Sequence, residues 1–263
     1  MLGWSINLFR VFGIQLAVHA TFLLLLAYAG FLGWEDGGAT GLVWRVLLTV
    51  LFFICVVLHE LGHSLTAKRY GVQVPRILLL PIGGMAEFDR IPRKPSAEFL
   101  ITIAGPAVNF AIAALLLPVV WGYLIGAVGI EDFSVAELVT QLFWANLIMG
   151  TFNLLPVYPM DGGRILRSVL ALWLPYLRAT WWAVTVARLL APLLAFVAVY
   201  YFHSWMLGIL FLFIFLTGNS EYRMLLLRER EAAYWAEMAR RVAESRPPSN
   251  EGRDPPLIAH GPN

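Results

Sequence analysis

Long segments without a charged residue constrain this chain more than any other feature of its sequence. The segment from Phe99 to Ile130 contains no Asp, Glu, Lys or Arg, and neither does the segment from Leu138 to Met160. About 20 apolar residues cross the hydrocarbon core of a bilayer as a helix. Charged residues make up only 14% of the chain, whereas an ordinary soluble domain carries roughly 25%. The chain is therefore predicted to be a membrane protein with several spans.

The predicted fold class is an all-α polytopic membrane protein with about six transmembrane helices. Charged or glycine-rich stretches separate the apolar segments from one another. The predicted spans are His19–Trp34, Leu42–Leu65, one within Phe99–Ile130, one within Leu138–Met160, and two in 179–218 that are broken near His203. A short helix is expected at 163–175, between the fourth and fifth spans.

Residues 67–96 have a different character, because they are basic and interrupted by prolines. Their apolar part, VPRILLLPIGGMAEF, is too short to cross a bilayer as a helix. It is predicted to form short strands or a re-entrant hairpin with Gly83 and Gly84 at a bend. Residues 1–18 are interpreted as an interfacial strand or loop. The helical fold is therefore expected to include a small membrane-associated β-hairpin or sheet.

The distribution of charge predicts the orientation of the chain. Residues 67–96 are rich in Lys and Arg, whereas the loops after the first and third predicted spans are acidic. Because basic loops stay in the cytoplasm, both termini are predicted to be cytoplasmic. The membrane itself is expected to be the cytoplasmic membrane of a prokaryote. The predicted domains are a transmembrane core at 1–220, a cytoplasmic helical tail at 221–245 and a disordered segment at 246–263. A net charge of +2 offers no electrostatic footprint for nucleic acid.

The sequence HELGH occupies residues 59–63, at the end of the second predicted span. On a helix, His59 and His63 are one turn apart on the same face, so both imidazoles can bind one zinc ion. Glu60 can accept a proton from a zinc-bound water and pass it to the leaving amine. Ionisable groups in a membrane helix cost several kcal/mol unless they face a cavity or a partner. The alternative is that these groups only pack the helix bundle through hydrogen bonds.

A catalytic zinc ion usually has three protein ligands and a water molecule. Asp161 is the best candidate for the third ligand, because it follows the fourth predicted span on the same side of the membrane as HELGH. Asp-Gly is also typical of a turn, and Asp161 could instead cap the following helix. Two further residues have open roles. Asn109 either contacts the site or hydrogen-bonds a neighbouring helix, and Cys55 either modulates the metal or is a small packing residue.

Four motifs, taken in order along the chain, resemble those of the site-2 protease family of intramembrane zinc metalloproteases. They are HELGH at 59–63, LLPIGGMAEF at 79–88, AGPAVNF at 104–110 and FNLLPVYPMDGGRIL at 152–166. The resemblance implies that Asp161 is the third ligand of one Zn2+ ion. It also implies that Asn153 holds the substrate carbonyl or its oxyanion, a role that suits a side-chain N–H donor.

The resemblance also gives a role to the small predicted sheet. It implies that the edge of this sheet pairs with an unwound substrate, with Gly83, Gly84 and Met85 as substrate-binding residues. A membrane helix hides its peptide bonds in its own hydrogen bonds, so it must unwind before hydrolysis, and a strand edge can take up the freed backbone groups. A simple interfacial hairpin is equally compatible with these residues. The spacing and tail predict a compact core enzyme without a PDZ domain or a CBS pair.

The predicted function is an intramembrane zinc endopeptidase that cleaves transmembrane or membrane-associated proteins. The reaction is attack of a zinc-activated water on the peptide carbonyl, as in regulated intramembrane proteolysis, with Glu60 and Asn153 as catalytic residues. The expected partners are a membrane-spanning protein substrate and the lipid bilayer, with the active site toward the cytoplasmic side. The alternatives are a membrane metal-binding or transport protein that uses the same His and Asp cluster without hydrolysis, a membrane-anchored protease of soluble proteins, and an inactive scaffold. Glu60 favours the protease, because a pure binding site needs no free carboxylate beside its ligand.

Overall fold

The computed structural model describes residues 4–89, 92–126, 134–201 and 203–245. Within these ranges the chain forms a small sheet and six helices. The elements are β1 (Ser5–Val11), β2 (Ile14–His19), α1 (Thr21–Arg69), β3 (Arg76–Leu80), β4 (Gly83–Glu87), α2 (Pro95–Leu124), α3 (Val135–Asn153), α4 (Asp161–Leu170), α5 (Tyr176–Tyr200) and α6 (Trp205–Ser245). The prediction of a mostly helical fold with a small sheet is confirmed.

Four helices, α1, α2, α3 and α5, are long and apolar enough to cross a membrane. A shorter apolar helical stretch covers Trp205–Leu216. The two predicted spans at the start of the chain lie in α1, which is 49 residues long and has non-helical backbone angles only at Gly37 and Gly38. The number of spans, predicted as about six, stays a prediction.

The loop predicted after Trp34 is shorter in the structure than the sequence indicated. Helix continues through Glu35 and Asp36 and is interrupted only at the glycine pair, where Gly38 has a φ of +58°. Glycine adopts this left-handed conformation without steric cost. Asp36 forms an ion pair with Arg45 across the interruption.

The later predicted elements match the structure more closely. The break predicted near His203 separates α5 from α6, and the short helix predicted at 163–175 is α4, which begins earlier, at Asp161, and ends at Leu170. Contacts divide the chain into two units, Met1–Tyr222 and Arg223–Asn263. The predicted domain boundaries stay predictions. The predicted acidic loop at Glu131 and Asp132 and the predicted disorder at 246–263 lie outside the described residues.

The sheet has the strand order β1-β2-β3-β4, so β4 is an edge strand. The β2 and β3 strands are parallel, and the other two pairs are antiparallel. The turn between β3 and β4 lies at Pro81 and Ile82, whereas Gly83 and Gly84 are the first residues of β4. The predicted position of the bend at the glycine pair is therefore wrong by two residues, because the hairpin pairs Leu80 with Gly83.

The sheet packs against the helices through an apolar core. Ile14 of β2 and Ile77 of β3 are fully buried against Leu61 of α1 and Ile101 of α2. Leu61 directly follows Glu60, so this packing fixes the sheet beside the HELGH segment. Gly62 permits the close approach of α1 and α2, because a β-carbon there would lie 2.7 Å from the Ala104 carbonyl oxygen.

A buried ion pair joins α4 to the first turn of α2. The Arg167 Nε donates to Glu98 Oε1 at 2.8 Å, and both residues are 1% exposed. The Tyr176 hydroxyl donates to the same oxygen at 3.3 Å. The guanidinium also lies over the rings of Tyr158 and Tyr176, at 5.5 and 5.0 Å from their centroids. These contacts hold α4, which begins with Asp161, against α2.

Candidate metal centre and active site

His59 and His63, which are both buried, form a cluster with the partly buried Asp161 where α1 meets the start of α4. The Nε2 atoms of the two histidines lie 3.1 Å apart. Asp161 Oδ2 lies 3.4 Å from His59 Nε2 and 3.3 Å from His63 Nε2. Among the residues that the structure describes, this is the one group of three or more His, Cys, Asp or Glu side chains able to hold a metal ion.

The spacing of these three atoms fits a zinc ion. Tetrahedral ligands at about 2.0–2.1 Å from zinc are separated from one another by about 3.3–3.4 Å. The three separations found here, 3.1, 3.3 and 3.4 Å, lie close to that value. Two imidazoles and one carboxylate are also a typical ligand set for catalytic zinc. The cluster therefore fits the predicted cofactor in both geometry and chemistry.

The hydrogen bonds that His59 and His63 make at Nδ1 also support a metal position next to their Nε2 atoms. His63 Nδ1 donates to the Ile101 carbonyl at 2.8 Å, and His59 Nδ1 donates to Asn109 Oδ1 at 2.5 Å. A neutral imidazole that donates from Nδ1 has a lone pair at Nε2. Two lone pairs and a carboxylate oxygen then point at one place, which is the arrangement that binding of a cation requires. Such outer hydrogen bonds are typical of histidines that bind zinc.

Asp161 is the first residue of α4, and the residue that caps this helix is Met160. The alternative role of Asp161 as a helix cap is therefore not found. Burial raises the pKa of the Asp161 carboxyl, but the positive charge of a protonated His63 and the hydrogen bonds from His63 and His59 lower the pKa by more, to below its ordinary value. A cation bound in place of the imidazole proton would favour the charged carboxylate in the same way. Gly162 follows it in a place without room for a side chain, since a β-carbon would lie 2.1 Å from the Leu155 carbonyl oxygen.

Glu60 directly follows His59 in α1, lies close enough to His63 for their charges to interact, and is not one of the three ligands. Its side chain is half-buried and packs against β4, because a β-carbon on Gly84 would lie 2.6 Å from Glu60 Cγ. The structure therefore brings together Glu60, the ligand cluster and one of the three predicted substrate-binding residues. Such an arrangement offers a free carboxylate next to a metal position and next to an edge strand.

The other predicted site residues lie farther along these elements. Gly83 and Met85 flank Gly84 in β4, and Met85 is exposed. Asn153 is the half-buried last residue of α3. In the described part of the chain, no hydrogen bond joins Asn153 to the three ligands, so its catalytic role stays a prediction.

The structure shows the contacts of Asn109 and Cys55, whose roles the sequence left open. Asn109 hydrogen-bonds His59 and also Asn146 of α3, so it makes both the contact with the site and the bond to a neighbouring helix. Cys55 is buried and contacts Asn146 of α3, and it is not part of the ligand cluster. Asn146 itself was missed by the sequence reasoning. The sequence feature that could have indicated Asn146 is a polar side chain within a charge-free span.

The sequence profile of Peptidase family M50 matches residues 47–194, which is more than half of the chain and includes all four residues around the metal position. The chain belongs to peptidase family M50. This confirms the predicted resemblance to a protease family.

Similar proteins agree with this family. The chain is 43% identical over 190 residues to a zinc metalloprotease of Methanocaldococcus jannaschii, covering 72% of this chain and 52% of that protein. It is 31% identical over 180 residues to a putative zinc metalloprotease of a Synechocystis species, covering 63% and 44%. The chain thus spans about half the length of these curated relatives. The solved structure of the site-2 protease from M. jannaschii is similar, with 37% identity, a TM-score of 0.57, and coverage of 83% of this chain and 95% of that one.

The M50 match and the relatives' names agree with the predicted class of enzyme, a zinc metalloprotease, and the ligand cluster fits the predicted cofactor. The four apolar helices fit the predicted membrane protein.

Proposed function

We propose that this M50 chain is an intramembrane zinc endopeptidase that cleaves transmembrane or membrane-associated proteins. The observation that supports it best is the position of Glu60. This carboxylate lies next to a set of three ligands that is complete without it. A metal-binding or transport protein has no need of such a group, whereas peptide hydrolysis requires a base beside the metal.

In this proposal His59, His63 and Asp161 hold the zinc ion in a site walled by α1, α2 and α4. A bound zinc ion supplies Lewis acidity, which polarises a peptide carbonyl and lowers the pKa of water to about 7. Glu60 takes a proton from the attacking water and delivers it to the leaving amine. Asn153 donates a hydrogen bond to the carbonyl oxygen as negative charge develops there.

The edge of β4 is the proposed binding place for the substrate backbone. An unwound membrane segment has free N–H and C=O groups, which are costly in an apolar environment. The outer edge of β4 offers the complementary groups of alternate residues in the segment that contains Gly83, Gly84 and Met85. Because Gly84 contacts Glu60, a substrate paired with this strand passes directly beside the base.

The predicted orientation completes the proposal. Basic residues in the segment that follows HELGH support an active site toward the cytoplasmic side, with both termini in the cytoplasm. The substrates are then membrane-spanning proteins cut near the cytoplasmic face of the bilayer.

The test is the variant Glu60→Gln, which keeps the shape of the side chain and removes its basicity. The chain is co-expressed with candidate single-span substrates, and cleavage and zinc content are measured together. We expect Glu60→Gln to retain zinc and to lose cleavage, and a chelator to abolish cleavage by the wild type. Glu35→Gln is the matched control, because Glu35 lies exposed on the same helix. Cleavage by a correctly inserted, zinc-loaded Glu60→Gln protein would sink the proposed mechanism.

A further inference from the structure

A continuous series of hydrogen bonds connects the His59 ring to the backbone of a different helix. His59 Nδ1 bonds Asn109 Oδ1 at 2.5 Å, Asn109 Nδ2 donates to Asn146 Oδ1 at 2.9 Å, and Asn146 Nδ2 donates to the Leu142 carbonyl at 2.9 Å. Asn109 and Asn146 are completely buried, and His59 is 5% exposed. The series therefore runs from α1 through α2 to α3 without contact with solvent.

The last member of the series sets the direction of all the others. A backbone carbonyl can only accept a hydrogen bond, so Asn146 must present its amide nitrogen to Leu142. The oxygen of Asn146 then faces Asn109, which must present its own nitrogen. The oxygen of Asn109 consequently faces His59, and the ring can bond it only by carrying a proton on Nδ1. If either amide were reversed, two acceptors or two donors would face each other. Buried groups without hydrogen bonds cost free energy.

We infer that Asn109 and Asn146 are positioning residues that keep His59 in its metal-binding tautomer. A proton on Nδ1 leaves the lone pair at Nε2, the atom that lies 3.1 Å from His63 Nε2. Neither asparagine touches the substrate in this account. This inference rests on the metal site of the proposed function, and it does not depend on peptide cleavage.

The two histidines reach the same tautomer by different routes. His63 donates directly to the Ile101 carbonyl, a backbone group that cannot change direction. His59 depends on two side-chain amides, each of which can rotate by half a turn if its partner is lost. His63 is therefore an internal reference for any experiment on His59.

A purely structural role for Asn146 predicts a different result. Asparagine side chains often hold membrane helices together by hydrogen bonds. If Asn146 had only this role, loss of its hydrogen bond to Asn109 would weaken the α2–α3 contact alone. It would not select one tautomer of a ring on α1. The state of the His59 ring thus separates positioning from simple helix packing.

The first measurement uses the wild-type full chain in detergent, with 15N-labelled histidine and without metal, at an alkaline pH where the imidazoles are neutral. We expect NMR to show His59 and His63 both protonated at Nδ1. A His59 ring protonated mainly at Nε2 would overturn the inference, and this result requires no variant.

The second measurement uses Asn146→Leu, which removes the fixed acceptor and lets the Asn109 amide rotate. We expect a mixture of His59 tautomers with an unchanged His63, and a zinc dissociation constant raised by about 10- to 100-fold in competition with a chelating dye. Thr140→Val is the matched control, because Thr140 makes the same kind of bond on α3, to the Ala136 carbonyl at 2.8 Å. It should change neither quantity.

The double variant Asn109→Asp with Asn146→Leu tests whether direction is what matters. A carboxylate accepts the Nδ1 proton whichever way it is turned, so it should recover much of the lost zinc affinity. Unchanged tautomer and affinity in Asn146→Leu, or no recovery in the double variant, would contradict the inference. These readouts are independent of cleavage, so the proposed protease function can fail in the Glu60→Gln experiment without affecting them.

Discussion

A β-carbon on Gly105 would lie 2.2 Å from His63 Nε2 and 2.8 Å from His59 Nε2. This glycine of α2 therefore leaves open the space in which both histidines present their lone pairs. We expect Gly105→Ala to lose zinc binding, because the added methyl group displaces at least one imidazole. Zinc content of the purified protein, measured by elemental analysis, checks this expectation.

The control for this substitution is Gly30→Ala, in the first half of α1. There the added carbon meets only side-chain atoms, Val46 Cγ2 at 3.3 Å and Leu42 Cγ at 3.7 Å. This variant should bind zinc as the wild type does. Stoichiometric zinc in Gly105→Ala would show that the two histidines do not converge as described.

Asp161→Asn preserves the shape of the third ligand and removes its charge. We expect zinc to stabilise the wild type against thermal unfolding, by about 2.7 kcal/mol when free zinc is 100 times its dissociation constant. The variant should show little of this stabilisation, since a neutral amide is a weak ligand for zinc. Melting temperature is measured in detergent over a series of zinc concentrations. Equal stabilisation of both proteins would exclude Asp161 as a ligand.

The variant Gly84→Ala tests the position of the base, Glu60, without changing a metal ligand. Its β-carbon would lie 2.6 Å from Glu60 Cγ and 3.1 Å from Val56 Cγ1, so Glu60 must shift. A displacement of about 1 Å in a catalytic group can cost about 100-fold in rate. We therefore expect a loss of cleavage of this order with unchanged zinc content. Ile82→Val, at the exposed turn of the same hairpin, should retain activity. A fully active Gly84→Ala would show that the Glu60 position is not critical.

Arg167→Met leaves the Glu98 carboxylate buried without its partner. Breaking a buried pair from one side costs about 3–5 kcal/mol, because an uncompensated charge remains. We expect the free energy of unfolding, measured by denaturant titration in mixed micelles, to fall by this amount. The double variant Arg167→Met with Glu98→Leu should recover part of it.

The matched control for this pair is Arg240→Met. Arg240 pairs with Glu244 in α6, where the two side chains are 73% and 62% exposed. Exposed pairs contribute about 0–1 kcal/mol, so this variant should unfold almost as the wild type does. A similar loss in both variants would mean that burial of the Arg167 pair has no special energetic role.

The parts of the site that were predictable are those set by local geometry. The positions of His59 and His63 follow from helical spacing alone, and Asp161 followed from its motif. Pairings between distant residues were not predictable. Glu98 and Arg167 are 69 residues apart, and the series through Asn109 and Asn146 joins three helices. Hydrophobic pattern shows which segments are helices, but it does not show which polar residues of different helices meet.

The same limit applies to the fold. The glycine pair at Gly83 and Gly84 was expected to form a bend, since Gly-Gly is a common turn signal. The pairing with β3 instead places the turn at Pro81 and Ile82, with both glycines in β4. Gly84 is needed there because Glu60 occupies the space of a side chain. The reason for this glycine thus lies in a tertiary contact with α1.

The ion pair between Glu98 and Arg167 also has a consequence for biosynthesis. The 69 residues between the partners take roughly 3–14 s to synthesise at about 5–20 residues per second. During that interval α2 leaves the ribosome with the Glu98 carboxyl group in its first turn and without Arg167 to pair with it. This end of α2 must therefore remain near water, or near the translocation machinery, until α4 arrives. Since α4 begins with Asp161, the metal site is completed at the same moment as this pair.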